Sequence, residues 1–401
     1  MNILWFNWRD MKNPEAGGAE VFTHEVGRRL VKMGFDITLF TSSFEGARNE
    51  EAMDGIKIVR RGTRYSVYKE AKKYFMSRKR EFDLLVDEIN TKPFMTPTFA
   101  NGTPIIGLIH QLAREFWFYE TSFPISLIGY LFLEKHWLKK YLDIPMITVS
   151  DSTQQDLEQL GFRKVHVVPE GIDVTPLESL ARKENKATLL YVGRLNKAKK
   201  PDDAIKAFNV VKSEIPDAQL WIVGDGYMMP ALKKIASDLS YGRNNGSQID
   251  RNKTDGKSDN TAVKSYHENS IRFFGRIENE QKLDLMARAH VLLVPGVREG
   301  WGLVVTETNA MGTPAVAYDV PGLRDSVVNT VTGLLVPPGD YVAMGIAAVD
   351  LLKDQQMLTL YSENSKKWAK RFSWDRTAEE FTRIIEQYAE QSSQELIPYK
   401  V

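Results

Sequence analysis

The stretch Arg298-Glu-Gly-Trp-Gly-Leu-Val-Val-Thr-Glu-Thr308 decides how the rest of the chain reads. Before it, His290 to Val294 is an apolar run with the look of a buried strand, stopped by Pro295. Gly296, Gly300 and Gly302 allow a turn, the pattern from Leu303 to Met311 is helical, and Gly312-Thr-Pro314 ends it. Glu299 then falls on a loop at a strand end and Glu307 on the second turn of the following helix. One strand–loop–helix unit thus offers two carboxylates and, between them, a row of backbone N–H groups at a helix start. The N–H groups suit a phosphate. An ionised carboxylate accepts two hydroxyl hydrogen bonds, so the glutamates suit sugar or ribose hydroxyls. The combination fits a nucleotide sugar; the plain alternative is a helix cap beside a solvated glutamate.

Length and composition narrow the field. With 401 residues, two domains are expected, and 43% hydrophobic residues suffice for real cores. A net charge of +1 carries no sign of nucleic-acid binding. The absence of cysteine excludes disulfides, cysteine-ligated zinc and thiol catalysis, and fits a reducing compartment. The opening MNILWFNWRD reads as a buried strand rather than a signal peptide, because it has neither basic leader nor cleavage site. The apolar run Ile125 to Leu133 is too short to span a bilayer. A soluble or peripheral protein is expected.

The first half begins with a strand over Asn2 to Phe6, a loop through Glu15-Ala-Gly-Gly-Ala-Glu20, and a helix to about Met33 with Phe22, Val26 and Leu30 on one face. Gly17 and Gly18, where that helix starts, would let backbone approach a phosphate; paired glycines also simply make turns. The spacing is not GxGxxG, which argues against a nicotinamide dehydrogenase. Strands are expected over Asp36 to Thr41, Ile56 to Arg60 and Phe82 to Glu88, with a basic helix from Tyr65 to Arg80 between the last two. Ile105 to Ile109 ends at His110, at the end of a strand where open parallel sheets place ligands; a satisfied buried histidine is the other reading. Residues 114–142 interleave Phe116, Trp117, Phe118, Tyr119, Phe123, Tyr130, Phe132, Trp137 and Tyr141 with Arg114, Lys135, Lys139 and Lys140. Aromatic anchors with cations suit a membrane interface or a lipid-carried acceptor; a helix buried under a loop is the alternative. Pro169-Glu-Gly-Ile-Asp173 reads as a hinge.

In the second half, the strand Thr188 to Val192 runs into Gly193-Arg-Leu-Asn-Lys-Ala-Lys-Lys200, and a helix follows from Pro201. Arg194 and Lys199, between strand end and helix start, are placed to bind a diphosphate and neutralise a leaving phosphate; a solvated basic loop is the alternative. The polar, weakly patterned stretch 241–269 reads as a mobile insertion. Ile271 to Phe274 resumes the sheet, and Gly275-Arg-Ile277 turns. Helices over Tyr341 to Leu352, Leu358 to Arg371 and Asp375 to Gln391 close the chain.

These motifs together resemble the retaining family-4 glycosyltransferases (glycosyl transferases group 1), over nearly the whole chain apart from 241–269. Glu299 to Glu307 matches the family's E-x7-E motif, with Gly300-Trp-Gly302 where EGFG is commoner. Supporting matches are Gly17-Gly-Ala-Glu20, VPEGID from Val168 to Asp173, VGRL from Val192 to Leu195 with Lys199, and FFGRI from Phe273 to Ile277. Lys200 stands where the family usually has glycine.

The resemblance implies an α/β GT-B fold, with two Rossmann-like doubly wound parallel-sheet domains facing across a cleft. The expected division is an acceptor-side domain over 1–168, a donor domain over 169–374, and a last helix, 375–401, crossing back to the first. It implies transfer of a hexose from a nucleoside-diphosphate sugar to a glycan or lipid-linked acceptor, with retention of configuration. Arg194 and Lys199 would hold the diphosphate, and Glu299 the donor-sugar hydroxyls. Backbone groups of Gly300, Trp301, Gly302 and Leu303 would contact phosphate and sugar, and Glu307 the ribose. Arg276 and Ile277 would lie near the base, Gly17 and Gly18 under the diphosphate, and His110 beside sugar and acceptor. No cofactor and no metal is expected; the chain has no Asp-x-Asp triplet, and the two cations would do a metal's electrostatic work. The location implied is cytoplasmic, with peripheral contact on the inner face of a membrane through 114–142. A GT-B sugar-nucleotide epimerase and a non-catalytic sugar-nucleotide-binding protein are the alternatives.

Overall fold

Short apolar runs separated by helical stretches assemble into two parallel sheets in the computed structural model of the chain, which describes residues 1–242 and 270–395. The first unit takes Met1–Asp173 and returns at Phe372; the second is Val174–Arg371. These divisions fall a few residues from the expected 168/169 and 374/375. The reason is local: Pro169 accepts from Thr377 Oγ1 at 2.8 Å and Glu170 meets His110, so the hinge segment remains part of the first unit. Gly171 lets the returning chain pass. A Cβ there would stand 2.2 Å from the backbone nitrogen of Trp374.

The first unit's sheet holds β1 (Asn2–Phe6), β2 (Asp36–Thr41), β3 (Glu50–Met53), β4 (Ile56–Arg60), β5 (Leu84–Glu88), β6 (Ile105–Ile109), β7 (Met146–Thr148) and β8 (Val165–Val167). Their order is β3-β4-β2-β1-β5-β6-β7-β8, parallel except where β3 joins β4. That edge strand, Glu50-Glu-Ala-Met, escapes a sequence reading because it carries almost no apolar alternation. β1 pairs β2 on one side and β5 on the other, so the order reverses between β1 and β5. Ile3, Leu4, Trp5 and Phe6 are all buried, as a strand covered on both faces requires.

Two helices cover the sheet near β1. Gly18–Lys32 buries Phe22, Val26 and Leu30, the stripe read from the sequence. Trp374–Glu395 buries Ala378, Phe381 and Ile385. Phe381 stacks on Trp5 with centroids 5.1 Å apart, and Arg29 Nε donates to Asp375 Oδ1 at 2.6 Å. The last helix is therefore built into the first unit.

The second unit's sheet holds β9 (Thr188–Val192), β10 (Gln219–Val223), β11 (Ile271–Gly275), β12 (Val291–Val294), β13 (Ala315–Tyr318) and β14 (Gly333–Val336). All pairs are parallel in the order β11-β10-β9-β12-β13-β14, reversing between β9 and β12. The helix Met229–Gly242 follows β10 and takes in the first two residues of the expected insertion over 241–269; the rest of it, 243–269, lies outside the described residues. Residues 114–142 form a series of short helical pieces rather than one helix, with Trp117, Leu138 and Tyr141 buried and Phe118, Phe123 and Phe132 exposed. Among the described residues no helix is long and apolar enough to cross a membrane.

Candidate active site

Parallel sheets place ligands outside the carboxyl ends of the strands where the strand order reverses. In the second unit that position lies between β9 and β12, and the loops after these strands are laced together there. Val297 N–H, after β12, donates to Ala198 O, after β9, at 3.0 Å, and Leu195 N–H ties the same β9 loop to the loop after β10 through Asp225 O at 2.9 Å. Asn196 Oδ1 caps the Lys199 N–H at 2.9 Å. Tyr191, its hydroxyl held un-ionised by burial and by the charge of Glu299, donates to the carbonyls of Arg194 and Lys199 at 3.2 and 3.4 Å. Lys200 turns the chain into the helix Pro201–Glu214 with φ +50° and ψ +45°, a left-handed conformation that explains why glycine is usual at this point of the motif.

On the other loop, Glu299 N–H donates to Pro321 O at 3.1 Å. The anchored carboxylate receives the Lys199 ammonium on both oxygens. Gly302, at φ +95°, precedes the helix Leu303–Ala310. At a helix start the first N–H groups, here those of Leu303 and Val304, have no intrahelical acceptor and point at whatever lies before the helix. One turn on, Glu307 accepts from Lys282 Nζ at 2.9 and 3.0 Å. Arg194 is exposed, and its guanidinium has no partner among the described residues. Arg276, exposed, and Ile277 form the turn after β11 at the same end of the sheet.

The second unit thus gathers Arg194, Lys199, Glu299, Gly300, Trp301, Gly302, Leu303, Glu307, Arg276 and Ile277 along one edge. The Lys199–Glu299 and Lys282–Glu307 pairs keep 14–23% of their side-chain surface exposed. Both pairs are partly buried, and each holds its two side chains in a fixed mutual orientation. Each carboxylate retains lone pairs for hydroxyl donors, and each ammonium can turn to an anion. Lys282 was not singled out in the sequence. It sits on the helix Asn279–Arg288 among other charged residues, and only the packing of that helix brings it to Glu307.

His110, Gly17 and Gly18 belong to the first unit. Gly17 is the N-cap of its helix, and its N–H is taken by Glu20 Oε2 at 2.6 Å, whose other oxygen accepts from Arg9 Nε at 2.9 Å. The N–H groups of Gly18 and Ala19 remain without intrahelical acceptors. His110 is 7% exposed and lies between two buried carboxylates, Nδ1 3.1 Å from Glu170 and Nε2 3.4 Å from Glu88. Burial works against its charged form, but the two glutamates outweigh it and push the imidazole up to about 10. Burial raises Glu88 in turn; its other oxygen accepts from Trp5 Nε1 at 2.8 Å and Thr23 Oγ1 at 2.5 Å. Neither glutamate was picked out as a site residue, although Glu88 ends β5 as His110 follows β6, a position that could have marked it.

Two parallel-sheet units of this kind, with cations and carboxylates at a switch point, define a GT-B α/β transferase. The family model "Glycosyltransferase Family 4" matches residues 16–175, and "Glycosyl transferases group 1" matches 177–368. The chain belongs to this family of glycosyltransferases. Among curated relatives, the glycogen synthase of Mycobacterium tuberculosis is 30% identical over 54% of this chain, and the chain spans about half (47%) of that relative's length. A D-inositol 3-phosphate glycosyltransferase of Corynebacterium urealyticum is 22% identical over 92% of this chain and 90% of its own. Among solved structures, a sucrose-phosphate synthase from Thermosynechococcus elongatus has a TM-score of 0.73 at 19% identity, covering 96% of this chain and 98% of that one. Anabaena Alr3699/HepE, solved in complex with UDP and glucose, has a TM-score of 0.69 at 17% identity, covering 96% and 100%.

Proposed function

We propose that the chain is a retaining hexosyltransferase. It takes a hexose from a nucleoside-diphosphate sugar and passes it to a glycan or lipid-linked acceptor, without a metal or cofactor. The observation that carries this reading is the Lys199–Glu299 pair at the point where the strand order reverses, beside the start of Leu303–Ala310. Lys199 and Arg194 hold the diphosphate and stabilise charge on it as the glycosidic bond breaks, which is cation work of the kind a metal does elsewhere. Glu299 orients donor-sugar hydroxyls, Glu307 the ribose, and the helix-start N–H groups the phosphate. Among the described residues no side chain is placed as a protein nucleophile in this reading; the acceptor hydroxyl attacks from the leaving-group side, and its proton passes to the departing phosphate.

The solved complex of HepE with UDP and glucose, a protein of the same fold, supports this donor class. A cytoplasmic location with peripheral contact on the inner face of a membrane belongs to the same reading. It is supported by the cysteine-free composition and by the exposed aromatic residues of 114–142.

The test is a donor panel. UDP-, GDP- and ADP-sugars are each scored for thermal stabilisation and for slow release of free nucleotide, with and without membrane extract as a source of acceptor. The anomeric configuration of any product is read by NMR. Selective stabilisation by one donor with a retained product is the expected result. Inversion removes the mechanism, donor isomerisation without transfer indicates an epimerase, and binding without turnover indicates a binding protein.

A further inference from the structure

Residues 118–132 hold a concentration of exposed apolar side chains that the donor site does not use. Seven large hydrophobic residues there face outward: Phe118, Phe123, Ile125, Leu127, Ile128, Leu131 and Phe132, with Phe123 at 79% and Phe132 at 66% exposure. Single exposed hydrophobics are ordinary; a contiguous set on one segment marks an interaction surface.

The segment is held in place by its other side. Trp117, Leu138 and Tyr141 are buried, the last two in a core cluster with Ile109, Leu112 and Met146. Gly129 lies flat on the Trp117 ring, where a Cβ would come within 2.2 Å. Glu134 is buried and accepts the N–H groups of Ala113 at 2.5 Å and Arg114 at 3.1 Å. A surface segment anchored in this way ordinarily turns polar residues outward; this one is apolar on both sides.

The flanking charge selects the occupant. Lys135, Lys139 and Lys140 are exposed immediately after the apolar set, and the structure gives none of them a carboxylate partner among the described residues. Between Phe118 and Lys140 the acidic residues are Glu120 and Glu134, and Glu134 is turned inward. Apolar side chains followed by three exposed lysines without a carboxylate partner among the described residues match an anionic lipid surface. The rings enter the boundary between headgroups and acyl chains while the ammonium groups stay among the phosphates.

We propose that this face docks the protein on an anionic bilayer, with Phe123 and Phe132 as the inserting residues and Lys135, Lys139 and Lys140 as the headgroup contacts. The docking rests on the peripheral location included in the reading above and does not depend on the transfer chemistry.

The test is vesicle flotation of the full chain without donor or acceptor, comparing phosphatidylcholine vesicles with vesicles containing phosphatidylglycerol. Binding to the anionic vesicles, weakened by salt, is expected. It should fall about tenfold or more in Phe123→Ser/Phe132→Ser and in Lys135→Glu/Lys139→Glu/Lys140→Glu. These side chains are exposed, so the melting temperature and the donor-induced stabilisation should be unchanged, which separates failure of docking from failure of the transferase reading. No binding to anionic vesicles, or binding unaltered in both variants, overturns the proposal. So does a dimer in light scattering that Phe123→Ser/Phe132→Ser dissociates, because the face would then cover a second copy of the chain.

Discussion

Lys199 donates to both carboxylate oxygens of Glu299, which lies 100 residues further along the chain. The pair joins the loop after β9 to the loop after β12, so the group that would carry phosphate charge and the group that would hold sugar hydroxyls orient each other. Lys199→Ala should therefore cost about 2–4 kcal/mol of transition-state stabilisation, the scale of losing an oxyanion donor. Glu299→Ala should cut turnover comparably, with the fold intact. Both kcat and KM must be measured: an unchanged kcat with weaker donor binding would place Lys199 in ground-state binding alone.

Glu307 reaches the site from the second turn of Leu303–Ala310, held by Lys282. If it takes the ribose, Glu307→Gln should weaken the donor complex by about 1.5–3 kcal/mol, the range for hydrogen bonds to a charged group. The wild type should prefer the ribose donor over its 2′-deoxy or 3′-deoxy analogue, and the variant should lose that preference. Equal discrimination in both proteins would assign the ribose to another residue.

Gly322 has φ +82°, and a Cβ there would stand 2.2 Å from the carbonyl oxygen of Glu299. The obstacle is backbone, which cannot swing aside as a side chain can. Gly322→Ala should destabilise by about 1–3 kcal/mol. It should also displace the Glu299 loop, so activity should drop further than the melting temperature alone accounts for. A variant with normal kcat would mean that the loop has freedom the packing does not indicate.

Lys200 adopts a left-handed conformation that costs a side-chain-bearing residue about 1–2 kcal/mol. Glycine relieves that strain but adds freedom to the unfolded chain, worth about 0.4–1 kcal/mol. Lys200→Gly should be stabilising by up to about 1.6 kcal/mol in denaturant unfolding, and a loss of stability would show that the Lys200 side chain contributes contacts of its own.

His110 is raised from 6.5 to about 10 by Glu170 and Glu88 against the effect of burial. A group whose folded value lies above its unfolded value stabilises fully below the unfolded one, and that contribution is lost as pH rises through the folded one. Stability should therefore fall between pH 6.5 and about 10 in the wild type. Glu170→Gln should shrink that dependence, and His110→Gln should abolish its histidine component. Melting curves across this range check it; parallel profiles for wild type and both variants would contradict the pairing.

Much of the layout was legible in the chain because it rests on local periodicity. Asn2–Phe6, Ile105–Ile109 and Val291–Val294 read as strands from apolar runs alone, and Phe22, Val26 and Leu30 marked the covered face of the first helix. Glu299 and Glu307 stand on one strand–loop–helix unit, so their spacing could be read directly. The edge strand Glu50–Met53 has no such pattern and becomes a strand only by pairing with β4.

The sequence by itself determined the doubly wound α/β class, the family, and which loops follow strand ends, since turn chemistry, helix starts and hydrophobic period are properties of neighbours in the chain. Only the tertiary structure decided that Lys199 meets Glu299, that Lys282 holds Glu307, that His110 is clamped between Glu88 and Glu170, and that Phe123 and Phe132 face outward. Ion pairs and burial depend on residues remote in sequence. Their partners are selected by the packing of loops and helices around the sheets, which no local pattern encodes.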